Sequence, residues 1–599
     1  MSTKALVDFL ATYGPTPAAQ SMYDEHVLEG ARRFEVSPIS VNTDKVDRIL
    51  SALMGEQPRS VILTGTAGDG KTWHCRKVFT ALVGTEEEWR KTDCRIDKTL
   101  RDGRRLVIIK DLSQYNEKPE QDEIVRGLCR SAYGECGTVY LVAANDGQLL
   151  RTLRRYAEAD DSGKAAEEAI RNMLKNDASR VPGLRLDIWN LSRQPHDETF
   201  DKLLDAVVDH EGWGGCASCG SALSCPIRRN RDLLKQKSSV GLRARMRDMI
   251  RIAADNDMHL PIRQVLLVIV NTLLGVRGLR SKLMSCSSAA ALVSEGKLIS
   301  SNPYDNVFGL NLEADRSTYR AFGILAAFGV GRETNNLIDG VLIDAEPQAA
   351  HSQFVADDPL FGEALFEPMR RQYRRGEAID QDEFRHAIEQ QRRRLFFRLP
   401  VPQALSQSDL DPWRLTVFMH GGEYLMFADS LRRGQVDARI RNRLAIGLNR
   451  TYTGMMCDDG ASLWFAAPAA NAQSRIGQVL DIEMPVGERR AVRVHLDFDA
   501  LGPHRTLRMI VREGKDVVEA NALQPLLFEY LLRVEAGSLP GSFSRQCSEE
   551  LRQFRLRVIA SLEKRGLIDS EGVEDIQIVR LSPEGRLNAD KVGVVALES

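Results

Sequence analysis

The residues best suited to chemistry in this sequence form a glycine-rich loop that ends in a lysine and a threonine. Its members are Gly65, Thr66, Ala67, Gly68, Asp69, Gly70, Lys71 and Thr72. An apolar strand-like run precedes the loop, and a helix-like segment from Trp73 to Leu82 follows it. The glycines let the backbone aim several N–H groups at a triphosphate, and the helix N-terminus adds partial positive charge. Lys71 would then bind the β- and γ-phosphates, and the Thr72 hydroxyl would ligate Mg²⁺. The alternative is a glycine-rich turn without a ligand.

A carboxylate and an amide follow the next two predicted strands. The apolar run Leu106–Ile109 leads into Lys110 and Asp111. A buried strand whose carboxyl end delivers a carboxylate beside the loop can hold Mg²⁺ through water. For Asp111 the alternative is an acidic cap on the following turn. The strand Thr138–Ala144 leads into Asn145, which could position an attacking water.

Three of the ten cysteines are clustered, with the spacing C-x2-C-x5-C and with glycines around them. Cys216 and Cys219 are spaced so that two thiolates can ligate one tetrahedral ion, and Cys225 would be the third ligand. The sequence does not determine the fourth ligand, for which His210 is nearest and His196 is the second choice. We predict a structural zinc ion. The alternatives are three reduced cysteines in a loop, or an iron–sulfur cluster, which normally requires four cysteines.

Residues 226–251, immediately after this cluster, are strongly basic. They contain nine arginines and lysines against two aspartates, a net charge of +7. Such a stretch could follow a nucleic-acid backbone, which makes DNA a predicted partner. It could equally be a solvated helix face or supply arginines to a nucleotide on a neighbouring subunit. No aromatic residues are interleaved for base stacking, which favours the solvated face.

The elements that must position these groups alternate between strands and helices. The predicted strands are Ser60–Thr64, Leu106–Ile109, Thr138–Ala144 and Gly183–Leu191. Alternation at these lengths predicts the α/β class, with a parallel sheet and helices on both faces.

The composition of the 599 residues is that of an ordinary globular protein, with 43% hydrophobic and 27% charged residues. The net charge of −2 excludes a global attraction to nucleic acid. The N-terminus lacks a signal-peptide pattern, and the longest apolar run, Val265 to Val276, is too short to cross a bilayer. We therefore expect a cytoplasmic protein with no membrane contact and with reduced cysteines.

Over residues 40–280, the order of these parts resembles the AAA+ branch of P-loop ATPases. The sequence G-T-A-G-D-G-K-T follows a strand, two further strands end at Asp111 and Asn145, and an arginine-flanked strand leads into a helix. The resemblance implies ATP and Mg²⁺ as cofactors, a homo-oligomer, and Asn145 as the sensor of the γ-phosphate.

The resemblance also implies roles for three arginines. Arg180 and Arg185, at the start of the fourth strand, stand where the family carries its arginine finger. Arg263 opens a predicted helix, as a sensor-2 arginine does. For each of them the alternative is a surface arginine paired with a carboxylate.

One departure from the family pattern concerns hydrolysis. The family usually has a glutamate after the strand-end aspartate, whereas Leu112 and Ser113 follow Asp111 here. Hydrolysis requires a base or a water-positioning group, which Glu117 or Asp146 could supply. Otherwise turnover is slow and the protein acts as a nucleotide-gated scaffold or oligomerisation switch.

The loop sequence, followed by C-x2-C-x5-C-P and basic helices, also resembles the ATPase component of bacterial anti-phage systems of the phosphorothioation-dependent DNA restriction type. This resemblance covers the first half of the chain. It implies a nuclease or other effector subunit of the same system, and DNA, as partners.

We predict the following domains: an N-terminal helical segment (1–56), a P-loop ATPase core (57–192), a helical lid with the metal knuckle (193–300), a mixed connecting region (301–400) and a C-terminal α+β domain (401–599). From about residue 405 the pattern predicts short alternating strands, followed by long amphipathic helices. Asp497, Glu513 and Lys515 imitate the metal-binding spacing of a restriction nuclease. A strand pair with one polar face generates such spacings freely, so the nuclease is the weaker alternative.

Overall fold

The computed structural model describes most of the chain. The described residues are 3–15, 24–41, 43–116, 118–159, 161–176, 178–193, 196–343, 358–377, 380–402, 410–468, 477–479, 484–489, 492–502, 505–568 and 575–593. They form two compact units, Met1–Leu415 and Thr416–Ser599. The finer division of the first unit stays a prediction.

A five-stranded sheet lies at the centre of the first unit. Its strands are β1 (Ser60–Thr64), β2 (Arg95–Thr99), β3 (Arg105–Ile109), β4 (Thr138–Ala143) and β5 (Leu186–Asn190). Their order across the sheet is β2-β3-β4-β1-β5, and all except β2 run parallel. The predicted α/β class is confirmed, but the prediction of a purely parallel sheet is wrong at this edge. The connection from β2 to β3 is a short hairpin, and a hairpin can join only antiparallel strands.

The helices of the first unit follow one another along the chain with short connections. In chain order they are α1 (Thr3–Ala11), α2 (Asp24–Arg33), α3 (Asp44–Met54), α4 (Lys71–Leu82), α5 (Glu86–Lys91), α6 (Pro119–Ala132), α7 (Asp146–Ala159), α8 (Asp161–Asn176), α9 (His196–Val208), α10 (Pro226–Lys235), α11 (Leu242–Asp255), α12 (Ile262–Leu274), α13 (Cys286–Ser294), α14 (Pro303–Asn306), α15 (Arg320–Ala326), α16 (Asn336–Ile343), α17 (Leu365–Arg374) and α18 (Gln381–Arg398).

Helices cover both faces of the sheet, as predicted. Alternate strand residues point to opposite faces, so Ile62 joins one hydrophobic core while Val61 and Leu63 join the other. Helices α6, α7 and α8 pack against the first face, and α3, α4 and α5 against the second. The sheet is thus buried on both sides, and the glycine-rich loop, Asp111 and Asn145 follow strands at its carboxyl edge.

Beyond β5 the first unit is helical, and most of α12 is buried. Every residue from Val265 to Leu274 is buried. Asn271, inside this apolar run, donates to the Asn306 carbonyl over 2.6 Å and to Asn311 Oδ1 over 2.9 Å, which satisfies its amide away from water. The run is therefore a core helix. In the described ranges, no helix is long and apolar enough to cross a membrane.

The second unit combines helices with antiparallel sheets. Its helices are α19 (Gly421–Arg432), α20 (Ala438–Thr453), α21 (Pro525–Glu535) and α22 (Arg545–Lys564), and its strands are β6 (Ala466–Pro468), β7 (Gly477–Val479), β8 (Val494–Leu501), β9 (Thr506–Glu513), β10 (Asp516–Ala522), β11 (Asp575–Leu581) and β12 (Leu587–Gly593). The strand orders are β10-β9-β8 and β12-β11-β7-β6. The prediction of short strands from about residue 405 is wrong for α19 and α20. Tyr424, Phe427 and Leu431 recur at helical spacing and are buried together along one face of α19.

Candidate functional site

The glycine-rich loop joins β1 to α4 and has the conformation that its glycines permit. Gly65, Gly68 and Gly70 have φ values of 137°, 94° and 82°, which residues with a Cβ rarely adopt. Gly70 is the left-handed residue immediately before α4, and Lys71 is the first residue of that helix. The loop therefore stands at the N-terminus of a twelve-residue helix, where backbone N–H groups are available to an anion.

The Lys71 ammonium group is folded over this loop. Its Nζ donates to the carbonyl oxygens of Gly65 and Thr66, each over 2.8 Å, and to Asn145 Oδ1 over 3.0 Å. Burial lowers the pKa of Lys71, while the nearby carboxylates Asp69 and Asp111 oppose that shift. The three acceptors that hold the cation are uncharged oxygens, so a phosphate could replace them with a stronger, charge-assisted interaction.

The sheet order brings Asn145 and Asp111 to the same edge as the loop. Strand β4 lies between β1 and β3, so Asn145 follows the strand next to the loop and Asp111 follows the strand beyond it. Asp111 Oδ1 accepts from the Ser113 amide over 2.8 Å, and this bond caps a 3₁₀ turn over Leu112–Tyr115. The capping role considered as an alternative for Asp111 is thus present, and it fixes the carboxylate at the carboxyl end of β3.

Lys110, one residue earlier, points into the protein. Its Nζ donates to the carbonyl oxygens of Trp89 and Thr92, over 2.9 Å and 2.8 Å, and lies 4.4 Å from the centroid of the Trp89 ring. The cation of Lys110 therefore stabilises the packing of α5 against the sheet.

Asp69 connects the loop to two distant parts of the first unit. It is 1% exposed and accepts from the Thr66 amide and hydroxyl, each over 2.8 Å. It also accepts a hydrogen bond of 2.6 Å from the hydroxyl of Ser192, which follows β5. Its carboxylate lies 2.9 Å from Nε2 of His259, which precedes α12. Burial alone would raise the pKa of Asp69, but the hydrogen bonds from His259, Ser192 and Thr66 and the nearby imidazole lower it.

Ser192 and His259 are functional candidates that sequence reasoning missed. Ser192 Oγ also accepts from the Thr66 amide, over 2.9 Å. The two residues lie 123 and 190 positions from Asp69, which itself occupies an unspecified position of the G-x-x-x-x-G-K-T pattern. No spacing rule in a single sequence links them, so only the fold could reveal this network.

Arg263 lies beside the loop, whereas Arg180 and Arg185 do not. The Arg263 amide donates to the Gly68 carbonyl over 3.4 Å, and a Cβ on Gly68 would lie 3.3 Å from the Arg263 Cβ. Arg180 makes a two-pronged ion pair with Asp187 at the start of β5, its shortest contact being 2.7 Å. The first residues of the parallel strands β1 and β5, Ser60 and Leu186, pair with each other. Arg180 and Arg185 precede β5, so they lie at the amino edge of the sheet, whereas the loop lies at the carboxyl edge.

A cavity of about 850 Å³ opens beside the loop, a volume in the range of small-ligand and cofactor sites. Its lining includes the loop and the polar residues around it: Gly68, Gly70, Lys71, Thr72, Asp111, Asn145 and Arg263. Its apolar residues come from the N-terminal segment and from α12: Tyr13, Val27, Ile39, Val41, Ile262 and Leu266. A lining with both cationic and apolar side chains suits a ligand that has an anionic part and a flat, weakly polar part.

Lys45, near the start of α3, also lines this cavity. Burial lowers the pKa of Lys45 to about 8, with the nearby Asp44 acting in the opposite direction. From the sequence, residues 1–56 are predicted only as a helical segment. Its contribution of both apolar surface and a cation to the cavity was therefore not foreseen.

The cysteine cluster lies between α9 and α10. His210 is not free to ligate a metal as it stands, because its Nδ1 accepts from the Gly212 amide over 3.0 Å and its Nε2 lies 2.9 Å from the Ser37 carbonyl. The side chain of His196 lies outside the described residues. Within the described ranges, no three side chains of the metal-ligating types stand close enough together to hold an ion.

Much of the charge in the basic stretch 226–251 is compensated within the chain. Carboxylates of α9 and of the residue after it pair with several of its side chains: Arg243 with Asp201 and Asp205, Arg247 with Asp201, Lys235 with Asp209 and Lys237 with Asp205. Arg245 is 1% exposed and donates to the carbonyl oxygens of Phe396 and Leu399. The net charge counted along the sequence therefore overstates the positive surface that a nucleic acid would meet.

The nuclease-like carboxylates of the second unit also have cationic partners. Asp497 lies 3.5 Å from Arg512, and Glu513 pairs with Arg493 and, over 3.1 Å, with Arg565. These contacts are those of a polar sheet face with paired charges.

Comparison of the chain with known protein families, with curated proteins and with solved structures finds no match. The function must therefore be inferred from the geometry of the site itself.

Proposed function

We propose that this protein binds and hydrolyses Mg·ATP as an AAA+-like ATPase and couples the cycle to conformational change in a larger assembly. The observation that carries the proposal is the convergence of Lys71, Thr72, Asp111, Asn145 and Arg263 on one cavity of nucleotide size. These side chains come from three strand ends and the start of α12. A glycine-rich turn without a ligand would not require such a convergence.

The site offers a complementary group for each part of the ligand. The loop amides and Lys71 would bind the phosphates, and apolar residues of the cavity lining would hold the base. Thr72 supplies a hydroxyl and Asp111 a carboxylate, the hard oxygen ligands that Mg²⁺ prefers. Asp111 uses one carboxylate oxygen for the Ser113 amide, which orients the group and leaves its other oxygen for a metal-bound water. A Mg²⁺ ion held there would neutralise charge on the phosphate oxygens.

Hydrolysis requires a group that orients water, and of the two candidates from the sequence only Asp146 lies among the described residues. It follows Asn145 directly, and its Oδ2 accepts from Asn190 Nδ2 over 3.0 Å. Its Oδ1 is buried and has no hydrogen-bond partner among the described residues, so it could accept a hydrogen bond from water. Glu117, the other candidate, lies outside the described residues.

Turnover of ATP by the wild-type chain, by Lys71→Ala and by Lys91→Ala tests the proposal. Lys91 is an exposed lysine of α5 that pairs with Glu87 and does not line the cavity, so its removal controls for the loss of one charge. We expect turnover in the wild type and in Lys91→Ala, and loss of turnover in Lys71→Ala. Wild-type turnover at the level of Lys71→Ala would reject the ATPase.

The second candidate is a nucleotide-gated scaffold that binds ATP with little hydrolysis. It is favoured by the absence of a carboxylate directly after Asp111, where Leu112 is 1% exposed and belongs to the core. This candidate predicts tight binding without turnover, together with a molecular mass in solution that changes when Mg·ATP is added. Turnover without any change in mass would favour the ATPase.

We further propose, from the resemblance alone, a cytoplasmic anti-phage role with an effector or nuclease subunit and DNA as partners. The internal ion pairs of residues 226–251 weaken the case that this stretch binds DNA. Stimulation of turnover by DNA, with loss of stimulation when Arg228 and Arg247 are changed to Ala, would support DNA as a partner. Identical turnover with and without DNA would argue against it.

A further inference from the structure

The cysteine loop has a backbone conformation suited to grouping thiols. A 3₁₀ segment covers Glu211–Ser218, and the Cys219 amide donates to the Cys216 carbonyl over 3.4 Å. A second turn follows, in which the Ala222 amide donates to the Cys219 carbonyl over 3.1 Å. The start of the loop is attached to α1, because Thr3 Oγ1 donates to the Gly212 carbonyl over 3.0 Å.

A fourth cysteine, far away in sequence, lies in the neighbourhood of this loop. Cys225 immediately precedes α10 and Cys286 is the first residue of α13, and these two helices pack against each other. Burial, and then the neighbouring thiols of Cys225, Cys216 and Cys219, raise the pKa of Cys286 to about 11. The charges of all three thiols reach Cys286, so the four cysteines are neighbours, although no three of them stand close enough in this structure to hold an ion.

We propose that Cys216, Cys219, Cys225 and Cys286 form a four-thiolate site for a structural zinc ion, with Cys286 as the ligand that sequence spacing did not reveal. Four thiolates satisfy the tetrahedral preference of zinc without a histidine. This agrees with the engagement of both His210 ring nitrogens by hydrogen-bonding partners. The inference does not depend on the ATPase proposal.

The thiols must move closer together when the ion binds, and the loop allows this. Protonated thiols have no strong attraction for one another, so the group closes only as the metal displaces their protons. Cys219 is exposed. Neither Gly214 nor Gly220 has an atom within 4 Å of where a Cβ would stand, so the backbone on both sides of Cys216 and Cys219 has room to adjust.

Two arginines of the basic stretch stand where the charge of such a site would need compensation. A zinc ion with four thiolates carries a net charge of −2. Arg231 lies close enough to Cys216, and Arg229 to Cys225, for the thiol charges to act on the arginine pKa values, which burial lowers. Arg231 is held by the Val208 carbonyl and by the face of Trp213, 4.9 Å from its centroid. Arg231 is thus held in place before any metal arrives.

Metal content per chain, measured by mass spectrometry on protein purified without chelator, tests the site. We expect about one zinc per chain in the wild type and in the control Cys136→Ser, a cysteine outside the cluster. Cys286→Ser and Cys225→Ser should both lose zinc, with an affinity loss greater than the about tenfold to hundredfold that follows removal of an outer-shell partner. His210→Ala should keep its zinc.

Two measurements on the wild-type chain guard against variants that fail to fold. Cobalt substitution should give the visible spectrum of a tetrahedral four-sulfur site, and Cys286 should resist alkylation until a chelator is added. Zinc retained by Cys286→Ser, zinc lost only from His210→Ala, or Cys286 alkylated equally with and without chelator would each overturn the proposal. Wild-type protein without metal, or with iron and acid-labile sulfide in place of zinc, would also overturn it.

Discussion

Replacement of Asp69 by Ala should loosen the glycine-rich loop and weaken nucleotide binding together. Asp69 is buried and holds the loop through Thr66, β5 through Ser192 and the segment before α12 through His259. The Thr66 amide keeps one partner in the variant, because it also donates to Ser192 Oγ. The His259 contact and the Thr66 hydroxyl bond are lost outright. The substitution therefore weakens the attachment of the loop to the segment before α12 without removing any group that would contact the phosphates.

The expected loss of stability follows from these contacts. Hydrogen bonds to a charged group contribute about 1.5–3 kcal/mol each, but shared and redundant bonds are not additive. Because the Thr66 amide still donates to Ser192 Oγ, we expect the free energy of unfolding to fall by about 2–4 kcal/mol. If loosening the loop costs about 1.4 kcal/mol of binding free energy, the Kd for Mg·ATP rises about tenfold.

The assay combines urea unfolding with a titration of Mg·ATP that follows the fluorescence of Trp73, which lines the cavity. Asp93→Ala, which removes an exposed aspartate before β2, is the matched control and should behave like the wild type. The pKa of Asp69 is lowered in the folded chain. Its stabilisation is therefore present above the unfolded-state pKa of about 3.9 and is lost as the pH falls below it. An Asp69→Ala variant with wild-type stability and wild-type affinity for Mg·ATP would show that Asp69 does not hold the loop in place.

Three further substitutions test the roles of Lys45, Arg180 and Asp146. The Lys45 ammonium, with a pKa of about 8, loses its charge as the pH rises through that value. Wild-type affinity for ATP should therefore fall between about pH 7 and 9. A Lys45→Met variant that shows the same pH dependence would contradict this. Arg180→Ala should lower the free energy of unfolding by about 1–3 kcal/mol, because it leaves the buried Asp187 with Arg59 as its remaining described partner. A variant that keeps full stability but loses turnover would instead favour an arginine finger. Asp146→Asn should reduce turnover about a hundredfold or more while ATP still binds, and unchanged turnover would exclude Asp146 as the water-orienting group.

The central strands could be predicted from sequence because their side chains are buried on both faces. β1, β3 and β4 are nearly continuous apolar runs, and their predicted bounds differ from the structure by at most one residue. β2 reads RIDKT and has only Ile96 buried, so this edge strand carries no apolar pattern. It is stabilised by pairing with β3 and by an ion pair between Arg105 and Asp97, neither of which a single sequence displays.

The candidate site was predictable where local spacing determines it. Lys71 and Thr72 follow from the loop pattern, and Asp111 and Asn145 from their positions after buried strands. Ser192 and His259 were missed, because their partner Asp69 is near only in space. Arg180 shows the opposite case: its position suggested a role in catalysis, but its carboxylate partner lies seven residues later, on a buried strand.

Calorimetric titration of the wild-type chain and of Lys71→Ala with Mg·ATP is the most direct test that the glycine-rich loop binds ATP. Lys71 exchanges bonds to uncharged oxygens for a charge-assisted contact with phosphate, which is worth about 1.5–3 kcal/mol. We expect one Mg·ATP bound per wild-type chain and a Kd for Lys71→Ala that is about tenfold to hundredfold higher. Equal affinity in the two proteins, or no binding by the wild type, would contradict it.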